Sequence, residues 1–70
     1  MTEYKFLRGS DINRDGMYLE LSVAGESPLA EVFYSDTSGE FYVTCYARDI
    51  PLSALEELIR QARRNLPSAV

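Results

Sequence analysis

The apolar residues of this chain change their spacing once, near residue 50. In three runs, 17–23, 29–36 and 41–47, apolar and polar residues alternate, and Tyr, Phe, Val and Thr are frequent. Alternation with a period of two is typical of half-buried β-strands. From residue 52 onward apolar residues recur every three or four positions, as in an amphipathic helix. This order predicts an α+β fold: a three- to four-stranded antiparallel β-meander followed by one C-terminal amphipathic helix packed on one face.

The connections between the strand segments are short. Residues 24–28 and 35–40 each contain a glycine, which suits the positive φ angles of hairpin turns, so consecutive strands are expected to be antiparallel neighbours. An earlier segment, residues 3–8, is expected to pair with 17–23, and the sequence leaves its register open. Seventy residues have room for a single small domain, 1–70.

Folding the two hairpins about their turns predicts which residues face each other. In the second hairpin Val32 falls opposite Val43 and Phe33 opposite Tyr42, and in the first hairpin Leu21 falls opposite Val32. Since side chains alternate between the two faces of a strand, this register gathers most apolar residues on one face. That predicted core face consists of Met17, Leu19, Leu21, Val23, Ala30, Val32, Tyr34, Phe41, Val43, Cys45 and Ala47.

The helix is expected to span residues 52–66. Its N-terminus has two candidate caps, Asp49 and Ser53, and Ser53 with Glu56 matches the S-x-x-E capping box. The residues expected to face the sheet are Leu52, Leu55, Leu58, Ile59, Ala62 and Leu66.

The opposite face of the predicted sheet carries aromatic residues. Phe33 and Tyr42 face each other there, with Tyr46 farther along the same strand and Tyr18 at the end of the neighbouring strand. Because one helix covers only one face of a sheet, these rings are expected to be exposed, and a contiguous exposed aromatic surface is typical of a protein interface. A self-complementary homodimer, a different protein partner, and shielding of the rings by the first strand, a loop or polar neighbours all fit this pattern. The remaining residues of this face are Glu20, Ser22, Leu29, Glu31 and Thr44.

Residues 11–16, Asp-Ile-Asn-Arg-Asp-Gly, match the first half of a calcium-binding loop, in which alternate side-chain oxygens converge on one ion. Ser22 stands at the twelfth position, where the motif needs a bidentate Glu, and the flanking segments have the pattern of strands rather than helices. The alternative interpretation is a polar hairpin connection whose last two residues supply the turn. This second interpretation is favoured, so no metal is expected. The candidate cation ligands are Asp11, Asn13, Asp15 and Glu20.

The composition argues against catalysis. The chain has no histidine and a single cysteine, so His-dependent triads, His zinc sites and an internal disulfide are impossible. Cys45, on the predicted core face with no evident cation to activate its thiol, is expected to be a small buried hydrophobe. Glu20 and Glu31 share a face, but a chain this short seldom encloses two carboxylates in a cleft. We therefore expect a protein that is not an enzyme and has no cofactor.

The charge balance restricts the partners. Eleven acidic and seven basic residues give a net charge of −4, which repels phosphate backbones, and no apolar run is long enough to span a membrane. We expect neither a nucleic-acid nor a membrane partner, and the single cysteine fits a reducing cytoplasmic location. Arg60, Arg63 and Arg64 are expected to lie on the solvated face of the helix, with Arg60 paired to Glu56 at the i, i+4 spacing.

Taken together, these features indicate a non-enzymatic protein-interaction module. A chain of this size buries on folding only about 60% of the surface that it exposes when unfolded, so a partner would add to a small core. The expected function is a homodimeric module that associates through its aromatic sheet face. A cation- or small-ligand-binding protein that uses residues 11–20, and a toxin-neutralising or regulatory partner protein, are the alternatives. The residues expected at the interface are Tyr18, Phe33, Tyr42 and Tyr46.

Overall fold

The computed structural model describes residues 3–66 and confirms the α+β architecture. One antiparallel sheet, with its strands in the order β1-β2-β3-β4, is followed by a single helix that packs on it. The helix α1 spans Leu52–Asn65, and within the described residues no helix is long and apolar enough to cross a membrane. The strands are β1 (Tyr4–Asp11), β2 (Gly16–Val23), β3 (Pro28–Ser35) and β4 (Phe41–Cys45).

The first strand pairs with the second, as expected, and is longer than the sequence pattern predicts. It forms a hairpin with β2 in a register that runs without interruption from Tyr4 opposite Val23 to Asp11 opposite Gly16. Residues 12–15 therefore form a short connection, and β1 lies at one edge of the sheet.

The connection between β1 and β2 is a polar turn organised by Asp11. One oxygen of its carboxylate accepts the backbone N–H groups of Asn13, at 3.0 Å, and of Arg14, at 3.2 Å. This is the local side-chain-to-backbone bonding that favours turns at aspartate. Asp15 then adopts a positive φ of 54°, which completes the reversal of the chain.

The predicted register is confirmed in the second of the two predicted hairpins and wrong in the first. Val32 pairs with Val43 and Phe33 with Tyr42, as expected. In the β2–β3 hairpin, however, Leu19 rather than Leu21 pairs with Val32. Because the error is two residues, the side chains near this pairing keep their predicted faces.

The tight turn between β2 and β3 explains the error. The N–H of Glu26 donates to the carbonyl of Val23 at 2.9 Å, so the chain reverses nearer to β2 than folding about residues 24–28 predicts. The start of β3 also contains a β-bulge. Leu21 pairs with Ala30 and Ser22 with Pro28, so Leu29 is an extra residue in β3. The bulge breaks the alternation of faces at this point. As a result Leu29 packs against the hydrophobic core and does not lie on the aromatic face, where the strict alternation placed it.

The hydrophobic core lies between α1 and the two central strands, β2 and β3. Leu58 is fully buried, as the helical periodicity predicts, whereas Leu52 is exposed and Ile59 is partly exposed. The buried stripe of the helix follows residues four apart, which brings Ala54 into the core in their place. The core consists of Leu19, Leu21, Ala30, Val32, Ala54, Leu58, Ala62 and Leu66.

The start of α1 differs from the predicted capping box. Pro51 occupies the N-cap position, and no side chain caps the helix. Since the helix begins at Leu52, Ser53 already lies inside the first turn and cannot act as the cap. Asp49 instead adopts a positive φ of 54° in the connection from β4 to the helix.

The ion pair on the helix surface also differs from the predicted one. Arg60 donates to Glu57, at 3.0 Å from its Nε, rather than to Glu56. Gln61 donates to the same carboxylate at 2.8 Å. The hydrogen bonds from Arg60, and then from Gln61, lower the pKa of Glu57 from its ordinary 4.5 to about 2.

This lowered pKa predicts how the Glu57→Gln substitution depends on pH. A carboxyl group whose pKa is lower in the folded state than in the unfolded state stabilises the fold above its unfolded pKa, and this contribution is lost as the pH falls through the folded value. We expect wild type to have a higher thermal midpoint than Glu57→Gln near pH 6, and the difference to vanish as the pH approaches 2. Thermal unfolding followed by circular dichroism measures it. A difference that stays constant over this range would contradict the assignment.

Candidate interaction surface

β4 is the most exposed strand of the sheet. It lies at the edge opposite β1, and all of its residues except Phe41 are exposed. Val43 is 56% exposed, and the thiol-bearing Cys45 is also exposed. The sequence prediction that Val43 and Cys45 belong to the core is therefore wrong.

The width of a single helix explains this exposure. Adjacent strands lie about 4.8 Å apart, so the axes of four strands span roughly 14 Å, whereas a helix with its side chains is about 10–12 Å across. Because α1 lies over β2 and β3, it covers Val32 of β3 and leaves Val43 of β4 open. The sequence signal for this uncovered strand is that four strands occur together with only one helix.

The outer edge of β4 also presents backbone hydrogen-bonding groups. Tyr46 N–H donates to the carbonyl of Leu29 at 2.8 Å, and Ser35 N–H donates to the carbonyl of Glu40 at 3.0 Å. In an antiparallel ladder the residues of one strand turn their N–H and C=O groups alternately toward and away from the neighbouring strand. The even-numbered residues of β4 therefore bond to β3, and the odd-numbered ones point outward. We call the outward backbone groups of Phe41, Val43 and Cys45 the β4 edge.

The two edges of the sheet differ in how well they are protected against pairing with another strand. Natural sheets block edge-to-edge pairing with charged side chains, proline or bulges. β1 carries Lys5, Arg8 and Asp11, whereas the β4 sequence, Phe-Tyr-Val-Thr-Cys, contains no charged residue and no proline. Its pairing with β3 is regular, without a bulge. The β4 edge therefore has none of these protective features.

The two tyrosines at the β4 end of the aromatic face are exposed, as predicted. Tyr42 is 51% exposed and Tyr46 is 58% exposed. The hydroxyl of Tyr42 shares a hydrogen bond of 3.2 Å with that of Ser38 in the preceding turn. Desolvation, followed by the negative charges of Glu31 and Glu20, raises the pKa of Tyr46 above its ordinary value of 10.0. Together with the β4 edge, Tyr42 and Tyr46 form one continuous exposed region.

Phe33, in contrast, is not exposed. It is only 6% exposed, because the guanidinium of Arg14 lies over its ring with Cζ 4.1 Å from the ring centroid. Such a cation–π contact adds to the burial of the ring. The prediction that Phe33 belongs to an open surface is therefore wrong. Of the alternatives considered for the aromatic face, shielding of the ring by a loop is the one that applies to Phe33.

Arg14 is held over Phe33 by two carboxylates. Its Nε donates to Asp11 at 2.6 Å, and its two terminal nitrogens donate to the buried Glu31 at 3.0 and 3.3 Å. Hydrogen bonds from this guanidinium lower the pKa of Asp11, and the bonds to Glu31 and then to Asp11 raise the pKa of Arg14. The network also offsets the like charges of Glu31 and Glu20, which are direct cross-strand neighbours. No sequence signal identified Arg14, since its contact with Glu31 depends on the unknown register of β1.

Tyr18 is half-buried beside the same network. It pairs across the sheet with Gly9 of β1, where a Cβ would meet the Tyr18 ring. The absence of a side chain at Gly9 thus makes room for this ring against the sheet. Of the four aromatic residues predicted for the interface, Tyr42 and Tyr46 are freely exposed, Tyr18 is partly exposed and Phe33 is covered.

The candidate cation ligands do not converge. The carboxylate of Asp11 bonds to Arg14, Asp15 lies at the end of the turn, and Glu20 lies within β2 opposite Glu31. Among residues 3–66, no group of three His, Cys, Asp or Glu side chains is placed to hold a metal ion.

On the helix side of β4 there is a shallow cleft of about 190 Å³ between α1 and the strand. Its walls include Val32, Phe41, Val43 and Ile59, and Arg63 lies at its rim with its guanidinium 5.9 Å from the centroid of Phe41. The cleft, the β4 edge and the two exposed tyrosines thus surround one strand with apolar, aromatic and backbone groups, which are the groups that form protein interfaces. Comparison of the chain with models of protein families, with curated proteins and with solved structures finds no match.

Proposed function

We propose that this protein is a non-enzymatic interaction module that forms a homodimer through the β4 side of its sheet. The observation that carries the proposal is the uncharged, regular and exposed β4 edge, next to Tyr42 and Tyr46. An edge strand of this kind is a template for pairing with another strand, which supplies main-chain hydrogen bonds.

The small core supports the same proposal. α1 covers two of the four strands, so Val43 and part of Ile59 are exposed to water in the isolated chain. Burial of apolar surface contributes roughly 25 cal/mol per Å², so covering these side chains in a dimer would stabilise the fold as well as the assembly. The interface of a single short strand is small, and we expect a reversible dimer with a dissociation constant in the micromolar range.

Proline substitutions on the two edges test this function. Val43 and Ser10 both lie on edge strands with their N–H groups directed outward, so proline at either position removes an outward donor and leaves the inner ladder intact. We expect wild type and Ser10→Pro to change from monomer to dimer mass with increasing concentration, and Val43→Pro to stay monomeric. Sedimentation equilibrium measures the masses.

Circular dichroism establishes that each variant is folded. If Val43→Pro does not fold, Val43→Lys replaces it, because a charge on an edge strand opposes strand pairing without constraining the backbone. A monomeric wild type at the highest concentration, or a Val43 variant that dimerises as well as Ser10→Pro, would overturn the proposal.

A further inference from the structure

We infer that the partner of the β4 edge is a second copy of this chain, aligned antiparallel with Val43 of one copy opposite Val43 of the other. This inference rests on the proposed function and specifies the geometry of the dimer. Three independent features of the strand select this register: the positions of the outward backbone groups, the charges at its two ends and the shape of its neighbouring surfaces.

The backbone groups favour Val43 as the centre. Outward-facing residues of one strand must meet outward-facing residues of the other to form a hydrogen-bonded pair. With Val43 on a two-fold axis, Val43 pairs with Val43, and Phe41 of each copy pairs with Cys45 of the other. This register uses all three residues of the β4 edge in both copies. Moving the two-fold axis to residue 42 or 44 shifts the register by two residues and leaves one of the three without a partner within the strand, because β4 begins at Phe41 and ends at Cys45.

The charges that flank β4 are complementary in this arrangement. Glu40 directly precedes the strand and Arg48 follows its end by three residues, and both are exposed. Within residues 3–66 neither side chain forms an ion pair. An antiparallel alignment brings the start of one strand beside the end of the other, so Glu40 of each copy lies at the same end of the seam as Arg48 of its partner, which follows β4 in the bend at residues 47–49.

A parallel alignment would place the like charges together, Glu40 beside Glu40 and Arg48 beside Arg48. Asp49 follows Arg48 one residue farther from the strand and adopts a positive φ. The strand itself is uncharged, so two copies with a net charge of −4 each can approach along it without like-charge contacts at the seam.

The neighbouring surfaces leave room for the second copy. On the helix side, α1 does not extend over β4, and the cleft beside Val43 is open. On the other side, Tyr42 and Tyr46 are exposed. In the two-fold register Tyr42 of one copy stands next to Thr44 of the other, so each ring packs on a small β-branched neighbour.

Disulfide trapping tests the register. With Cys45 replaced by serine, single cysteines are placed in turn at Tyr42, Val43 and Thr44, and each variant is oxidised at a concentration where the dimer is populated. We expect Val43→Cys/Cys45→Ser to form a covalent dimer, because the Cα atoms of a directly opposed hydrogen-bonded pair lie about 5.5 Å apart, within disulfide range. Wild type should cross-link at least ~10-fold more slowly, because the two Cys45 residues lie four positions apart along the strands, about 14 Å.

Charge reversal gives a second readout that does not depend on cysteine. In the dimer, Glu40→Arg places an arginine near Arg48 of the other copy at both ends of the seam. We therefore expect the dissociation constant to rise about 3- to 10-fold. The combined variant Glu40→Arg/Arg48→Glu should restore the wild-type value.

The outcomes separate the two proposals. If wild type dimerises and Val43→Pro does not, but the fastest cross-link occurs at position 42 or 44, the β4 interface stands and the register centred on Val43 is wrong. If the charge-reversed pair fails to restore affinity while Glu40→Arg weakens it, the antiparallel placement of Glu40 and Arg48 is wrong. A wild type that is monomeric overturns both proposals.

Discussion

We expect the Arg14→Ala substitution to lower the free energy of unfolding by about 2–3 kcal/mol. Arg14 supplies both hydrogen bonds that neutralise the buried carboxylate of Glu31, and it covers the ring of Phe33. Removing one partner of a buried ion pair typically costs about 3–5 kcal/mol because the other charge is left without compensation. The lower value reflects the partial exposure of the Arg14 side chain, which water screens. Urea denaturation measures the change.

The matched control is Arg60→Ala. Arg60 also donates two hydrogen bonds to a carboxylate, but both partners lie on the surface of the helix, and we expect a much smaller loss than for Arg14→Ala. The double variant Arg14→Ala/Glu31→Leu should recover much of the loss, since an apolar residue needs no partner when buried. Equal losses for Arg14→Ala and Arg60→Ala would show that the Arg14 network is no more than surface charge.

We expect the Gly16→Ala substitution to destabilise the fold by about 3 kcal/mol. The sequence suggests that this glycine serves the turn, but the positive φ belongs to Asp15. Gly16 lies instead at the first position of β2, where a Cβ would overlap the backbone carbonyl oxygen of Tyr34 and the ring of Phe33. A backbone atom within a sheet cannot move aside without disrupting the ladder, so the added methyl group strains the packing.

Gly25→Ala is the control for this prediction. Gly25 has a positive φ of 81°, but no atom beyond its own residue and its two chain neighbours lies within 4 Å of the position that its Cβ would occupy. Its substitution should cost about 1 kcal/mol, the strain of an L-residue in the left-handed region. Thermal and urea unfolding of the two variants compare a steric effect with a conformational one. If Gly16→Ala is as stable as Gly25→Ala, the close approach at Gly16 does not constrain the fold.

The architecture could be predicted from the sequence because it depends on periodicity and on short connections. The β3–β4 register followed from the symmetry of its turn, and Val32 indeed pairs with Val43. The β2–β3 register did not follow, because the chain turns at residues 23–26 rather than about the middle of residues 24–28, and the bulge at Leu29 makes up only part of the difference. The helix was placed correctly, but its cap was not, since Pro51 takes the position at which a polar residue was expected.

The candidate surface was only partly predictable. Tyr42 and Tyr46 were identified because their exposure depends only on alternation and on the number of helices. Alternation predicts Phe33 on the open face because it takes no account of Arg14, which comes from the turn between β1 and β2 and is positioned by Glu31, 17 residues along the chain. Alternation predicts Val43 in the core because it gives the face of a residue but not how far the helix extends over that face.

The two edges of the sheet differ in how well they are protected against pairing with another strand, and this difference would limit how far the proposed dimer could grow. A sheet with two open edges can add copies without end and form filaments. In the proposed dimer, two-fold pairing would use the β4 edge of both copies and leave only the β1 strands, with their Lys5, Arg8 and Asp11, at the outer rims. Pairing would then stop at two chains, and a variant without the charges of β1 would be expected to form polymers instead of a closed dimer.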